Sequence, residues 1–298
     1  MAHALNLCAH QLLMPASLGK RIMILQSAVD GRNDSPEFVI KQTEHGALCG
    51  QFTEHFGNAS FEPPEPRAEV INAIRCHDNG WLADDENPSL DPKTRLPFNV
   101  LATPRSKLFA TSRKSPDYNE KLHPYCGLIS SMHSWGLYNG RYGLSDKILV
   151  DFIEDEFQNE MNDMLDGELK RQDKLKSALG ENPETAAWTN KARAFTNYKL
   201  LQFCDTLALY FNLTPEGART ETSFANVPMD LNMDVSVTIK PLGKNSYSLA
   251  PYPFAEDPLE VYFEGHYLAP FAPGEEPDLA EIMQSAKVER QMICFVSG

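Results

Sequence analysis

The chain has 298 residues, 42% of them hydrophobic and 23% charged, with a formal net charge of −14. This is a globular composition, long enough for one large domain or two ordinary ones. The acidic balance argues against a nucleic-acid or anionic-membrane binder, which needs a basic surface, and no apolar run approaches the roughly 18 residues of a membrane helix.

Six cysteines (Cys8, Cys49, Cys76, Cys126, Cys204, Cys294) are scattered without a CxxC pair or a framework spacing. Free thiols are expected, and with them a reducing, cytoplasmic location.

Residues 1–21 hold no acid and end in Lys20-Arg21, faintly like a transit peptide, but His10, Gln11 and Pro15 interrupt any signal-peptide core. The stretch reads as a loosely packed extension. Residues 22–41 read as a β-hairpin, "IMILQSA" and "FVIKQ" around a polar turn. A helix from about Glu44 to Phe56 is closed by Gly57-Asn58, and a second follows the stiff "FEPPEP" and runs to Asp78.

From Leu82 to Pro124 the periodicity is lost and prolines recur, with room for one short helix at 105–113. A segment that long between helices is expected to be functional or to hide short elements. "PYCGLISSMHSWGLY" resumes a helical pattern, and a charge-dense stretch at 146–180 carries Ile153, Phe157, Met161, Met164 and Leu165 at helical spacing. A last helix spans about Thr189 to Asn212. After Pro215 the pattern alternates: "DVSVTIK", "SYSLAPYPF", "LEVYFEGHYL" and "RQMICFVSG" read as strands. The expected architecture is mainly α, a helical bundle over 22–215 with an N-terminal β-hairpin, followed by a smaller β-rich C-terminal part at 216–298.

The inward stripes of these helices carry the functional signal. His45 precedes Leu48, Cys49, Phe52 and Phe56; His77 and Asp78 continue the face of Val70, Ile71 and Ile74; Cys126, Ile129 and Leu137 bracket His133; and Asp205 shares a face with Leu201, Cys204 and Ala208. One core histidine is more often hydrogen-bonded than metal-bound, and one inward aspartate can pair with an arginine. Three imidazoles and two carboxylates aimed at a single interior are another matter. Buried carboxylates need a charge partner, and one or two divalent cations would neutralise the set together. His55 and His123 stand at element ends and read as surface residues or further ligands. His3, His10 and His266 lack such context.

The order His…His-Asp…Asp on successive helices resembles the HD-domain superfamily of metal-dependent enzymes. More narrowly, "VIKQTEHGALCGQFTEHFGN", "CHDNGWLADDENPSLDPKTRLPF", "PYCGLISSMHSWGLY", "NYKLLQFCDTLALYFN" and "LAPYPF" together resemble an HD-like domain-of-unknown-function family, family 3891, from about residue 22 onward. The wider superfamily implies an HD-like helical fold and a metal held by His45, His77, Asp78 and Asp205, with His133 as a second-metal ligand or substrate contact. Most of its enzymes hydrolyse phosphoesters or nucleotides, and a minority hold two irons and use oxygen. For a second metal, the further histidine here would have to be His123.

The expected function is therefore a metal-dependent hydrolase of a small phosphoester or nucleotide-like molecule, using iron, manganese or zinc. Asp78 would be a metal ligand and a carboxylate beside the water its base. The segment after Trp81 is placed to overhang the site with Asp84, Asp85, Asp91, Lys93 and Arg95, of which Arg95 and Lys93 would neutralise phosphate. Asp78, His133 and Arg95 make the expected catalytic set. A non-haem iron oxygenase and a metal-binding protein without catalysis are the alternatives. The β-rich end carries no ligand cluster and reads as structural, or as the surface of a homodimer or other partner.

Overall fold

Strand-forming sequence from both ends of the chain meets in one sheet. The computed structural model describes residues 21–32, 34–146, 151 and 153–298; the expected N-terminal extension, apart from Arg21, lies outside them, with Cys8, His3 and His10. The strands are β1 (Ile22–Gln26), β2 (Glu37–Ile40), β3 (Phe98–Asn99), β4 (Thr222–Pro228), β5 (Asp234–Gly243), β6 (Ser246–Ala250), β7 (Leu259–Leu268) and β8 (Glu289–Ser297). Their order is β3-β1-β2-β7-β8-β6-β5-β4, with β1–β3 and β6–β8 parallel and the other pairs antiparallel.

This corrects the expected fold class. The molecule is about half helical and carries a mixed sheet of eight strands; it is not a mainly α bundle with a small β appendage. The joint is β2 against β7, with Phe38 opposite Tyr267 and Val39 opposite His266. A two-stranded hairpin alone is marginal in water, and this one is apolar on both faces. Ile24, Phe38 and Ile40 face the main core, while Met23, Leu25 and Val39 pack on the opposite face with Leu96, Leu268 and Met283. An unbroken apolar run such as "IMIL" is the pattern of a strand buried on both sides.

Six principal helices form the helical part: α1 (Gln42–His55), α2 (Arg67–Arg75), α3 (Arg105–Leu122), α4 (Pro124–Tyr138), α5 (Gln158–Glu181) and α6 (Lys191–Leu213). Of these, α1 packs on β7, and α6 on β1 and β4. α3 is twice the length expected. Its Pro116 removes one backbone donor, but Phe109, Ser112, Ser115 and Asn119 are buried on its inner face, and that packing carries the helix through the proline. Phe52, Phe211, Phe254 and Phe295 seal helices to sheet. No helix among the described residues is long and apolar enough to cross a membrane.

Candidate metal centre

α1 presents His45 to the interior. Its N-terminal residue Lys41 offers no side-chain cap. Asp85, from the short helix Leu82–Glu86, supplies one instead: Oδ1 accepts from Gln42 N at 2.8 Å, and Oδ2 from Thr43 N at 2.9 Å and Thr43 Oγ1 at 2.8 Å. α1 and α2 approach closely because Gly46 has no side chain; a Cβ there would lie 2.3 Å from the Arg75 carbonyl oxygen.

The second helix stops at Arg75, three residues short of the expected Asp78. His77 and Asp78 occupy the turn after it, before the 3-10 turn Asn79–Trp81. Gly80 N donates to Ser115 Oγ at 3.0 Å and lies so near α3 that a Cβ would meet the Thr111 carbonyl oxygen at 2.6 Å. The turn carrying His77 and Asp78 is thus clamped between α1 and α3.

Five expected residues meet here. His45 Nε2 is 3.2 Å from Asp205 Oδ1 and 4.0 Å from Asp78 Oδ2. His77 Nε2 is 3.4 Å from Asp78 Oδ2 and 3.9 Å from Asp205 Oδ1. The His77 ring lies edge-on between those of His45 and His133, with centroids 5.3 and 5.1 Å away. His45, His77, His133 and Asp205 are buried, whereas the Asp78 side chain keeps 24% of its exposure and faces the open side. Two overlapping groups can hold a metal ion: His77, His133 and Asp205, and His45, Cys49 and His77, each with donor atoms within 4.8 Å of one another.

Each imidazole is pinned through Nδ1, as metal-binding histidines are. His77 Nδ1 donates to the Ile74 carbonyl at 2.8 Å, and His45 Nδ1 to Asn212 Oδ1 at 2.9 Å. His133 Nδ1 lies 2.7 Å from the Gln202 amide. A carbonyl can only accept, so His77 carries its proton on Nδ1 and presents a lone pair at Nε2. That atom is buried without a hydrogen-bond partner among the described residues and faces carboxylate oxygens. An acceptor turned toward acceptors requires a cation or a proton between them.

The members of the cluster differ in charge. Burial, reinforced by His77, pushes His133 down to about 4, so it is a neutral donor at ordinary pH. Burial alone would raise Asp205, but the hydrogen bond with His45 and the nearby His133 and His77 hold it below the usual carboxylate range. Burial works against a charged His45, yet Cys49 and Asp205 carry it well above the ordinary histidine value.

Other expected residues lie elsewhere. Arg95 has φ 58° and bonds through its guanidinium to the carbonyls of Ala272 (3.1 Å) and Glu275. Its neighbour Leu96 packs on the sheet face opposite the helices, so the segment leaves the site and Arg95 is not brought to the cluster. Asp84 accepts from Ile22 N at 3.0 Å and pairs with Lys107 at 2.7 Å, and Asp85 is the cap described above. Lys93 and Asp91 form an exposed turn, with Lys93 N on Asp91 Oδ1. His123 caps α4, accepting from Tyr125 N at 3.1 Å, and His55 pairs with Glu256; neither joins the cluster.

The orienting residues Asn212 and Gln202 were missed. Asn212 sits seven positions after Asp205 on the same helical face, and a second polar group on that apolar stripe was the available signal. Gln202 and the Asp85 cap have no local signature.

The family model described as Protein of unknown function (DUF3891) matches residues 29–269. Neither a curated protein nor a solved structure matches the chain.

Proposed function

The chain belongs to the family Protein of unknown function (DUF3891), and we propose that it is a metal-dependent hydrolase of small phosphoesters built on the ligand order of HD-domain enzymes. The observation that carries this reading is the buried, unpartnered Nε2 of His77, turned toward the carboxylates of Asp78 and Asp205. His45, His77, Asp78 and Asp205 would hold the ion, with His133 completing the set or meeting substrate. Such an ion supplies Lewis acidity and an activated water.

The chain's own residues divide the remaining work. Asn212, the Ile74 carbonyl and Gln202 orient the three rings. Asp78 has the most exposed side chain of the set, and its carboxylate would accept a proton from an entering water. The apolar packing around Leu48, Cys49 and Cys204 keeps bulk water from the inner side. Imidazole with carboxylate suits iron, manganese or zinc.

A phosphoester panel run with parallel oxygen-uptake measurement tests the proposal. Phosphate release that falls about a hundredfold or more in His77→Ala and Asp205→Ala supports it. Oxygen consumption without phosphate release would replace it with the iron oxygenase, which the three-imidazole set also suits.

A further inference from the structure

Gln202 stands between the cluster and a pocket of about 170 Å³ on the neighbouring face of α6. The chain as a whole carries −14, yet the described residues that line the pocket include Arg141 and Lys199 and no acidic side chain. Lys199 is already compensated, its Nζ 2.5 Å from Asp234 Oδ1. Arg141 is not: its guanidinium makes no hydrogen bond or ion pair among the described residues.

Two further features mark this wall as built for a ligand. Arg141 and Tyr142 both hold left-handed backbone, φ 51° and 57°, between Gly140 and Gly143, a conformation that side chains other than glycine adopt only when the surroundings impose it. Tyr142 anchors the turn, its ring tilted against that of Trp135 with centroids 4.6 Å apart and its hydroxyl donating to Gln172 Oε1 at 3.3 Å. Gln202 is more than nine-tenths buried, and its Oε1 has no hydrogen-bond partner among the described residues. With the amide turned so that Oε1 accepts from His133 Nδ1, the ring keeps its Nε2 lone pair for a metal and the NH2 group is left over as a buried donor. One end of Gln202 then serves the metal centre and the other serves the pocket.

We propose that this pocket binds a phosphate-type oxyanion, held by Arg141, Lys199 and the Gln202 amide, as the anionic group of the substrate remote from the bond that is cleaved. Its assignment to a substrate rests on the hydrolase reading above; anion binding itself does not. The ligand class follows from the donors: a planar guanidinium fork, an ammonium and an amide match the several acceptor oxygens of phosphate.

The test is calorimetric titration of inorganic phosphate into the full chain stripped of metal by a chelator, which keeps phosphate from binding an ion. Saturable binding is expected, weakened about tenfold or more in Arg141→Asn, where asparagine suits the left-handed backbone and protects the fold. Gln202→Glu, which adds an acid to the wall, should weaken it as well, and His77→Ala should leave it in place. No saturable binding to the wild type, equal binding by folded Arg141→Asn, or loss confined to His77→Ala overturns the pocket. A wild type that takes up no metal but still binds phosphate through Arg141 would sink the hydrolase reading while leaving this one standing.

Discussion

His77 Nδ1 is tied to the Ile74 carbonyl at 2.8 Å, so its bare Nε2 faces Asp78 Oδ2 at 3.4 Å. The tie is local, from a ring to the carbonyl three residues earlier, and it settles the tautomer without help from any distant element. Every other member of the cluster then meets a lone pair at that point rather than an N–H. A divalent ion should therefore stabilise the fold. At a free-ion concentration about a hundredfold above Kd the gain is about 2.7 kcal/mol, or several degrees in Tm. Scanning calorimetry with manganese or zinc should show this shift in the wild type and lose it in His77→Ala.

Asn212 is expected to act only through His45. Removing its acceptor in Asn212→Ala frees the ring and should weaken metal binding by about 10- to 100-fold, while Asn212→Asp, which keeps an acceptor oxygen, should retain most of the affinity. Competition titration against a metal-binding dye measures both. Equal weakening by the two variants would assign Asn212 to packing alone.

The approach of α1 to α2 at Gly46 sets the distance between His45, its neighbour, and His77, two residues past Arg75. Gly46→Ala should lower stability by about 1–3 kcal/mol through overpacking and weaken metal binding, although Gly46 offers no ligand atom. Gly180→Ala, in open space on α5, is the control and should be neutral or stabilising by up to about 1 kcal/mol. Urea unfolding of both variants checks the contrast.

Asp85 caps α1 from outside the helix, so its loss should be felt as stability rather than chemistry. Asp85→Ala should cost about 2 kcal/mol in urea unfolding, and Asp85→Asn less, since one acceptor oxygen survives. A metal affinity reduced in proportion would show that the start of α1 also positions His45.

The helical part of the molecule was legible because its signal is local. The apolar faces of α1, α4 and α6 announce both the helices and the odd polar groups on them, and so His45, His133 and Asp205 could be picked out together. His77 and Asp78 were found on a stripe that ends sooner than expected, and the turn beyond Arg75 still delivers them to the same place. What failed was non-local. Nothing in "EFVI" says that Phe38 will lie beside Tyr267, and so one mixed sheet was read as a hairpin and a separate β-rich end. Arg95 was assigned to the site from its closeness in sequence to His77, but the strand pairing of Phe98 with Ile22 draws its segment to the sheet edge. Asp84 and Asp85 drew notice as acids near a metal; their partners, Ile22 and Gln42, are decided only by the packed structure.

The most direct test is the metal content of protein purified without oxygen. About one or two ions of iron, manganese or zinc per chain are predicted for the wild type, with near-complete loss in His77→Ala and Asp205→Ala that remain folded by circular dichroism. A folded wild type that holds no metal and takes none up on incubation, or folded variants that hold as much as the wild type, would contradict the account.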